Sequence, residues 1–298
     1  MKRVVSVSLG SSKRNHRAEL KLLGEEVTIE RIGTDGSMEK AAALLQALDG
    51  KVDALGLGGI DLYLVAGPKK YRIHDAWKLA RLVKRTPVLD GSGLKHTLER
   101  EGVQFLQTQG LNLKNKRVLM TSAVDRFGMA EALTAAGCRM VFGDLIFALG
   151  LPLPLTSLGA LRTAAHLLLP ILTKLPFALL YPTGEKQERI NPRFSRYYEE
   201  ADLIAGDFLF IKRYLPPVLS GKIILTNTVT AADIDELAKR KLKTLITTTP
   251  DFQGRSFGTN VMEALLVAFS GRPPEALTEK DYLYYLKQLE IKPRIINF

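Results

Sequence analysis

Residues that crosslink chains or bind metals are scarce in this sequence. The 298 residues include one cysteine, Cys138, which cannot form an intramolecular disulfide and lacks the CxxC spacing of a metal site. The four histidines, His16, His74, His96 and His166, show no HExxH or similar ligand spacing, so we predict no metal site. A chain without disulfides fits a reducing environment, and we expect a cytoplasmic protein.

No hydrophobic run is long enough to predict a membrane span. The most apolar stretch, residues 145–180, is interrupted by prolines, Arg162, His166 and Lys174, whereas a bilayer span requires roughly 20 apolar residues. The basic start, residues 1–3, leads into a short alternating run without a cleavage site, which argues against a signal peptide. We therefore predict no membrane contact.

The charge balance favours an anionic partner. Lysine and arginine number 42 against 31 aspartate and glutamate residues, which gives a formal net charge of +11. The basic residues are spread along the chain without a nucleic-acid-binding motif, so we expect a small anionic ligand and no nucleic acid. The sequence contains no GxSxG motif, P-loop or kinase signature, which argues against hydrolysis and phosphotransfer.

Residues 1–112 predict a mixed α/β domain that begins with antiparallel strands. The length of 298 residues suggests two domains of ordinary size. In the first, short runs of β-branched residues alternate with segments that carry apolar residues at helical spacing. We predict strands at 4–10, 18–24, 27–33, 52–59 and 86–91, a hairpin over 62–73, and helices at 37–48, 76–85 and 94–102.

Residues 113–298 predict a Rossmann-like, doubly wound parallel sheet. The strand candidates are continuous apolar runs, which are typical of strands buried on both faces. These strands are predicted at 116–122, 138–144, 176–182, 201–207, 221–228 and 243–250. The predicted helices cover 128–136, 157–174, 231–240 and 260–270, with a closing helix from Thr278. The predicted fold class is therefore α/β with two domains.

The turn after the first strand of this sheet, residues 121–137, lies where a dinucleotide-binding domain places its glycine-rich phosphate turn. One glycine remains, near the third glycine of GxGxxG, and hydroxyl and guanidinium groups stand in for the others. An acid ending the next strand has the spacing of the residue that binds ribose hydroxyls. The cofactor-binding candidates are Ser122, Asp125, Arg126, Gly128 and Asp144. We expect NAD or NADP, with another anionic ligand or a purely structural turn as alternatives.

Polar side chains also follow two later strands of this sheet. Thr226 and Asn227 end one strand and Thr248 ends the next, so we assign them to the cofactor site, although threonine runs also favour strands. Arg255 lies in a glycine-hinged loop before a helix that begins near Asn260. A basic, capped helix start is suited to a carboxylate or phosphate, so both residues are substrate-binding candidates.

The strand-to-helix turn at residues 90–96 holds the catalytic candidates. An aspartate beside a lysine is suited to moving a proton from a hydroxyl, because the carboxylate holds the ammonium in place. We therefore predict that Lys95 and Asp90 form a catalytic pair, with ordinary surface residues as the alternative interpretation. Ser92 in the same turn, and Asp61 in the glycine-rich segment GLGGID, are substrate-binding candidates.

Five segments of the chain resemble one group of bacterial proteins. They are VVSVSLGSSKRNHR, ERIGTDG, DALGLGGIDLY, TPVLDGSGLKHTLER and TTTPDFQGRSFGTNVMEALLVA, and the group is labelled quinate 5-dehydrogenase. The pattern from Gly258 to Pro273 is more distantly similar to shikimate and quinate dehydrogenases. The resemblance implies a substrate domain, an NAD(P) domain, and hydride transfer assisted by a lysine and an aspartate, here Lys95 and Asp90. Two segments of that family are absent: the Asn-x-Thr-x-Pro-x-Lys motif, and the GxGGA turn, which SAVDRFG replaces.

These features together favour an NAD(P)-dependent oxidoreductase that acts on a small hydroxylated carboxylate, similar to quinate or shikimate, between the two domains. Arg255 or Arg126 would hold the anionic group, and Lys95 would exchange the proton. One alternative is a non-catalytic regulatory protein that binds a metabolite or nucleotide with a degenerate Rossmann domain. Another is a transferase for a phosphorylated or nucleotide-linked substrate. If the chain associates with itself, we expect a homodimer.

Overall fold

The computed structural model describes residues 1–67, 69–176 and 190–298. The first half contains β1 (Lys2–Ser8), β2 (His16–Leu22), β3 (Glu25–Gly33), α1 (Met38–Leu48), β4 (Ala54–Gly58), β5 (Tyr63–Ala66), β6 (Lys69–Arg72), α2 (His74–Ala80), β7 (Val88–Leu89) and α3 (Ser92–Thr108). Five of these strands form a sheet in the order β2-β3-β1-β4-β7, in which only the β2–β3 pair is antiparallel. The predicted mixed α/β character is confirmed, and β5 and β6 form the predicted hairpin.

The second half forms a second sheet. Its elements are β8 (Arg117–Met120), α4 (Phe127–Ala135), β9 (Arg139–Phe142), α5 (Asp144–Phe147), α6 (Leu158–Leu172), α7 (Ser195–Glu200), β10 (Leu203–Ala205), α8 (Phe208–Arg213), β11 (Ile223–Thr226), α9 (Ala231–Lys239), β12 (Thr244–Thr247), α10 (Thr259–Ser270), α11 (Glu279–Gln288) and β13 (Arg294–Asn297). The sheet order is β13-β12-β11-β10-β8-β9. The predicted parallel sheet is confirmed, but β13 adds an antiparallel edge that we did not predict. The strand predicted at 176–182 lies largely outside the described residues.

Each sheet contains one reversal of strand order. In the second sheet, the chain passes from β8 to β9 on one side and then to β10 on the other side of β8. In the first sheet, β1 is likewise flanked by β3 on one side and β4 on the other. Open α/β sheets bind ligands in the crevice that such a reversal leaves at the carboxyl ends of the strands. The topology therefore indicates a ligand site at the carboxyl ends of β1, β4, β8 and β10.

A helix from the second half of the chain covers one face of the first sheet. In α10, Val261 belongs to one apolar cluster with Val4 of β1 and Ala54 of β4. The helix approaches β4 closely, because a Cβ atom at Gly56 would lie 2.9 Å from the side-chain nitrogen of Asn260. The two halves are interlocked by this contact, and their division into two domains remains a prediction. Within the described ranges, every helix is too short or too polar to cross a bilayer.

Glu263 ties α10 to the turn that precedes α3. Its buried carboxylate accepts hydrogen bonds from the backbone N–H of Gly91 at 2.8 Å and from the hydroxyl of Tyr282 at 2.9 Å. Burial, followed by repulsion from Asp90, raises the pKa of Glu263 to about 7. This contact therefore depends on pH, since folding favours the protonated carboxyl.

We expect Glu263→Gln to remove part of the pH dependence of stability. Because the pKa of Glu263 is raised on folding, its contribution to stability is complete below the unfolded-state pKa and is lost as pH rises towards about 7. The free energy of unfolding is measured with urea at pH 5 and pH 8. From the lower to the higher pH, that of the wild type should fall by roughly 3 kcal/mol more than that of the variant, at about 1.4 kcal/mol per pKa unit. Glu39→Gln, at an exposed position of α1, is the control. An identical pH dependence in all three proteins would contradict this account.

Candidate functional site

A polar cleft lies where the carboxyl ends of the two sheets meet. It is a cavity of about 130 Å³, bounded by the loops after β1 and β4, the loops after β8, β10 and β11, and the start of α10. Its walls therefore include the strand reversals of both sheets. The predicted site residues that line the cleft are Asp61, Asp90, Lys95, Asp125, Arg126, Asn227, Arg255 and Asn260.

Lys95 is the centre of a buried ion group in this cleft. Its Nζ donates to Oδ1 of Asp61 at 2.6 Å and to Oδ1 of Asp125 at 2.6 Å. The Lys95 side chain is only 8% exposed. Lys95 lies in the first turn of α3, Asp61 follows β4 and Asp125 follows β8, so residues from distant segments meet here.

The pKa values of the two carboxyl groups shift in opposite directions. Burial raises the pKa of Asp61, and repulsion from Asp125 raises it further against the attraction of Lys95. Burial acts in the same sense on Asp125, but attraction to Lys95 and Arg126 holds its pKa well below the ordinary value. Although burial opposes it, attraction to Asp125 and Asp61 raises the pKa of Lys95. These surroundings favour the charged forms of Lys95 and Asp125 and the protonated form of Asp61.

Arg126 joins a second set of elements through carboxylates. Its Nη1 donates to Glu99 of α3 at 3.1 Å, and its Nη2 donates to Asp207, which follows β10, at 3.1 Å. Its Nε lies 3.3 Å from Asp125. Arg126 is thus bound within the protein, and a ligand would have to compete with these carboxylates.

In the described part of the chain, no group of three acidic, histidine or cysteine side chains is arranged to hold a metal ion.

Asp90 does not form the ion pair that we predicted with Lys95. Its carboxylate accepts hydrogen bonds from the backbone N–H groups of Leu62 at 2.6 Å, Tyr63 at 3.3 Å and Ser92 at 3.0 Å. A carboxylate held by main-chain donors is fixed in the loop, and Asp61 and Asp125 take its place beside Lys95. Asp90 still lines the cleft and contributes to the local field.

The predicted phosphate turn is filled by a carboxylate of the protein. Asp144 accepts from the backbone N–H groups of Ala123 at 3.2 Å and Val124 at 2.9 Å, which are the donors that a pyrophosphate would need. Burial raises the pKa of Asp144 to about 6, against the effect of these two bonds. Gly128 faces α3, because a Cβ atom there would lie 2.9 Å from Cα of His96. This glycine therefore permits contact between two helices.

A second cavity, of about 140 Å³, lies beside the polar cleft and shares Asp125 and Phe210 with it. It is bounded mainly by leucine and alanine side chains of α5, α6 and the loop that precedes α6. Its polar walls include the predicted residues Ser122 and Asp144. The second cavity is therefore suited to an apolar group with one polar edge.

Three predicted residues have structural contacts and do not line the polar cleft. Thr226 donates to the carbonyl of Gly206 at 2.8 Å, Thr248 packs against Gly102, and Ser92 begins α3. Two others that do line it are held by the protein: Asn227 donates to Asp207 at 2.9 Å, and Asn260 donates to Ser6 at 2.7 Å. Threonine at a strand end is a weak indicator of a binding site, because β-branched residues also favour the strand conformation itself.

Arg255 is accompanied in the cleft by two arginines that sequence reasoning missed, Arg14 and Arg31. Arg14 lies in the segment SLGSSKR directly after β1, and a basic residue at a strand end was a usable signal. Arg31 is near the end of β3, where an alternating charged residue normally faces solvent, so nothing in the sequence distinguished it.

The solved structures that resemble this chain do so only weakly. A galactofuranose binding protein shares 13% identity over 97% of this chain and 99% of its own, with a TM-score of 0.38. L-tryptophan dehydrogenase from Nostoc punctiforme shares 12% over 97% and 80%, with a TM-score of 0.37. NAD-dependent malic enzyme from Thermotoga maritima shares 13% over 97% and 84%, with a TM-score of 0.33.

Models of known families match two segments of the chain, and the longer segment identifies its family. No curated protein matches the sequence. Residues 3–90 match a domain of unknown function, DUF8753, and residues 93–298 match another domain of unknown function, DUF8754. The two matched segments meet at the start of α3, and the second comprises more than half of the 298 residues. The chain therefore belongs to the DUF8754 family.

Proposed function

We propose that the polar cleft binds a small anionic metabolite carrying a hydroxyl group, and that the protein moves a proton to or from that hydroxyl. The observation that carries this proposal is the buried group of Lys95, Asp61 and Asp125 in the same cleft as Arg255. Proton transfer needs a group with a pKa near the working pH, and a cation beside the oxygen that gains negative charge. The cleft supplies both, together with a cation for the anionic end of the ligand.

The pKa shifts assign a different role to each member of the ion group. Asp61, whose pKa is raised, accepts the hydroxyl proton when it is ionised and returns it in the reverse direction. Lys95 remains protonated and stabilises the oxygen that has lost the proton. Asp125 remains ionised and orients Lys95. We therefore assign proton exchange to Asp61, with Lys95 as the electrostatic partner.

For the hydroxyl we propose oxidation with NAD or NADP, which the resemblance to quinate 5-dehydrogenases implies. The cofactor would accept the hydride. The second cavity adjoins the polar cleft and offers Asp144 beside apolar walls, which suits a ring and a ribose hydroxyl. Quinate and shikimate are the first substrates to test, because each combines a carboxylate with ring hydroxyls.

A non-catalytic binding protein is the second candidate, and the Asp144 contact favours it. The amides of Ala123 and Val124 are already bonded to that carboxylate, so a pyrophosphate in the turn would have to displace it. The polar cleft would then bind a metabolite without a dinucleotide. Oxidation of a hydroxyl substrate by NAD or NADP distinguishes the two candidates, because only the oxidoreductase would catalyse it.

We expect Asp61→Asn to lower kcat for oxidation of the hydroxyl substrate by about a hundredfold or more, since general acid-base groups contribute about 10² to 10⁴. Turnover of quinate and shikimate is followed through the absorbance of the reduced nicotinamide. Asp75→Asn is the matched control, because Asp75 pairs with Lys78 in α2, away from the cleft. Unchanged kcat in Asp61→Asn, with the control also active, would remove Asp61 from the mechanism.

The pH profile of kcat/KM should contain an acid limb caused by Asp61. The base must be ionised, so the rate of oxidation falls as pH drops through the pKa of Asp61, which burial and Asp125 raise. In Lys95→Met, the attraction that opposes this rise is lost, and the limb should move to higher pH while kcat falls. A limb that stays in place in Lys95→Met would show that another group is titrating.

Dinucleotide binding tests the NAD(P) assignment separately. We expect isothermal titration calorimetry to detect binding of at least one of NAD⁺, NADH, NADP⁺ and NADPH. Ala164→Phe should weaken that binding about tenfold or more, because the new phenyl ring would fill the second cavity. A tenfold loss of affinity corresponds to about 1.4 kcal/mol. Ala43→Phe on the exposed side of α1 is the control. If quinate binds and no dinucleotide does, the non-catalytic candidate is favoured.

A further inference from the structure

Besides Arg126, three more buried arginines line the polar cleft around the ion group of Lys95. Arg14, Arg31 and Arg255 are 5%, 8% and 5% exposed. They come from the loop after β1, from β3 and from the loop before α10, so the fold brings them together. A buried guanidinium is costly unless carboxylates or a ligand compensate its charge.

Neutral oxygens hold two of these guanidinium groups in position. Arg31 donates to the hydroxyl of Ser8 at 2.9 Å and to the carbonyl of Ser11 at 3.0 Å. Arg255 donates to the carbonyl of Arg14. Such oxygens orient a guanidinium without neutralising it, so the site is organised and keeps its positive charge.

Carboxylates compensate this charge only in part. Asp233 lies 2.9 Å from Arg14 but is shared with Lys212, at 3.0 Å. Among the described residues, no carboxylate lies at ion-pair distance from Arg31 or Arg255, and the exposed Asp35 attracts Arg31 only from farther away. Burial, then repulsion by neighbouring guanidinium groups, lowers the pKa of Arg31 to about 10 and that of Arg255 to about 9. The cluster therefore has an excess of positive charge at neutral pH.

Two nitrogen atoms of the cluster have no hydrogen-bond partner within the described structure. They are Nη2 of Arg14 and Nε of Arg255, and both are buried. An unpaired buried N–H costs about 1–3 kcal/mol, more when the group is charged. Because both side chains line the cleft, oxygen atoms of a ligand are the natural acceptors.

We propose that Arg14, Arg31 and Arg255 bind a doubly charged phosphate group, so that the ligand of the cleft is a phosphate monoester carrying a hydroxyl group. This inference rests on the proposed function, since it names the anionic group of the same ligand. A phosphate monoester has nearly two negative charges near neutral pH and three acceptor oxygens, which match a cluster of three guanidinium groups. A single carboxylate carries one charge and would leave part of the buried positive charge uncompensated.

The charge of the ligand can be varied while its shape is kept. Isothermal titration calorimetry compares methyl phosphate with methyl sulfate, which are both tetrahedral, but only the phosphate gains a second charge as pH passes about 6. From pH 5 to pH 8 we expect the affinity for methyl phosphate, relative to methyl sulfate, to rise about tenfold or more. The ionisable groups near the cluster, which are His16, Asp35, Asp233, Lys212, Asp61 and Lys95, act on both probes, and Asp61→Asn measured in parallel removes the titration of Asp61 from the ratio.

Variants locate the binding within the cleft. Arg14→Gln, Arg31→Gln and Arg255→Gln should each weaken methyl phosphate about tenfold or more, since hydrogen bonds between charged groups contribute about 1.5–3 kcal/mol. Arg17→Gln is the control, because Arg17 is 58% exposed on β2 and pairs with Glu19. Thermal unfolding establishes that each variant is folded, and the comparison of the two probes on the wild type needs no variant.

The outcomes separate this inference from the proposed function. Equal affinity for methyl phosphate and methyl sulfate at pH 8 would overturn the phosphate assignment, and so would quinate binding without methyl phosphate binding, which leaves the proposed function intact. A cleft that binds none of the three probes contradicts both. Selective binding of methyl phosphate, with no oxidation of glycerol 3-phosphate by NAD⁺ or NADP⁺, supports the phosphate site and counts against the proposed oxidation.

Discussion

The cost of holding charged side chains out of water is the constraint on which the cleft depends. Each buried cation needs compensation of several kcal/mol, and Lys95 and Arg126 obtain it from carboxylates of other elements. The partners of Lys95, Asp61 and Asp125, follow strands of different sheets, and Asp207 approaches Arg126 from the end of a third strand. The ion pairs therefore fix α3 and both sheets relative to one another. Charge compensation, together with apolar packing, sets the geometry of the cleft.

Topology explains why so many polar groups meet at one place. Parallel strands end on the same edge of a sheet, and each sheet here has its reversal of order beside its first strand. The apolar side of α10 packs on the first sheet, and the first residues of this helix line the cleft. Both halves of the chain therefore contribute walls to the same site. Moving the first sheet away from α10 would expose the apolar side of that helix, which opposes opening of the cleft on that side.

The sequence predicted the fold class and the two sheets better than it predicted the contacts within the site. Continuous apolar runs identified the buried parallel strands, but β13 has no comparable run and pairs with β12 only through tertiary structure. Lys95 and Asp61 were identified because they lie at glycine-rich strand ends, whereas the predicted partner Asp90 is held by nearby main-chain donors. Spacing along the chain cannot show which distant carboxylate meets a lysine. Nor does it distinguish Arg31, whose burial depends on the loop after β1.

In the binding mode that we propose, side chains and not the main chain would recognise the anion. In a glycine-rich phosphate turn, backbone N–H groups face the ligand, whereas here Asp144 accepts two of them and Glu99 accepts a third, from Met129 at the start of α4. Internal carboxylates thus neutralise the positive end of that helix. Among the cleft residues that the structure describes, the positive charge without a carboxylate at ion-pair distance lies instead at Arg31 of the first sheet and at Arg255 in the loop before α10, where neutral oxygens orient the guanidinium groups. A phosphate group bound there, as we propose, would be held through its charge, and the shape of the cleft would direct the rest of the ligand.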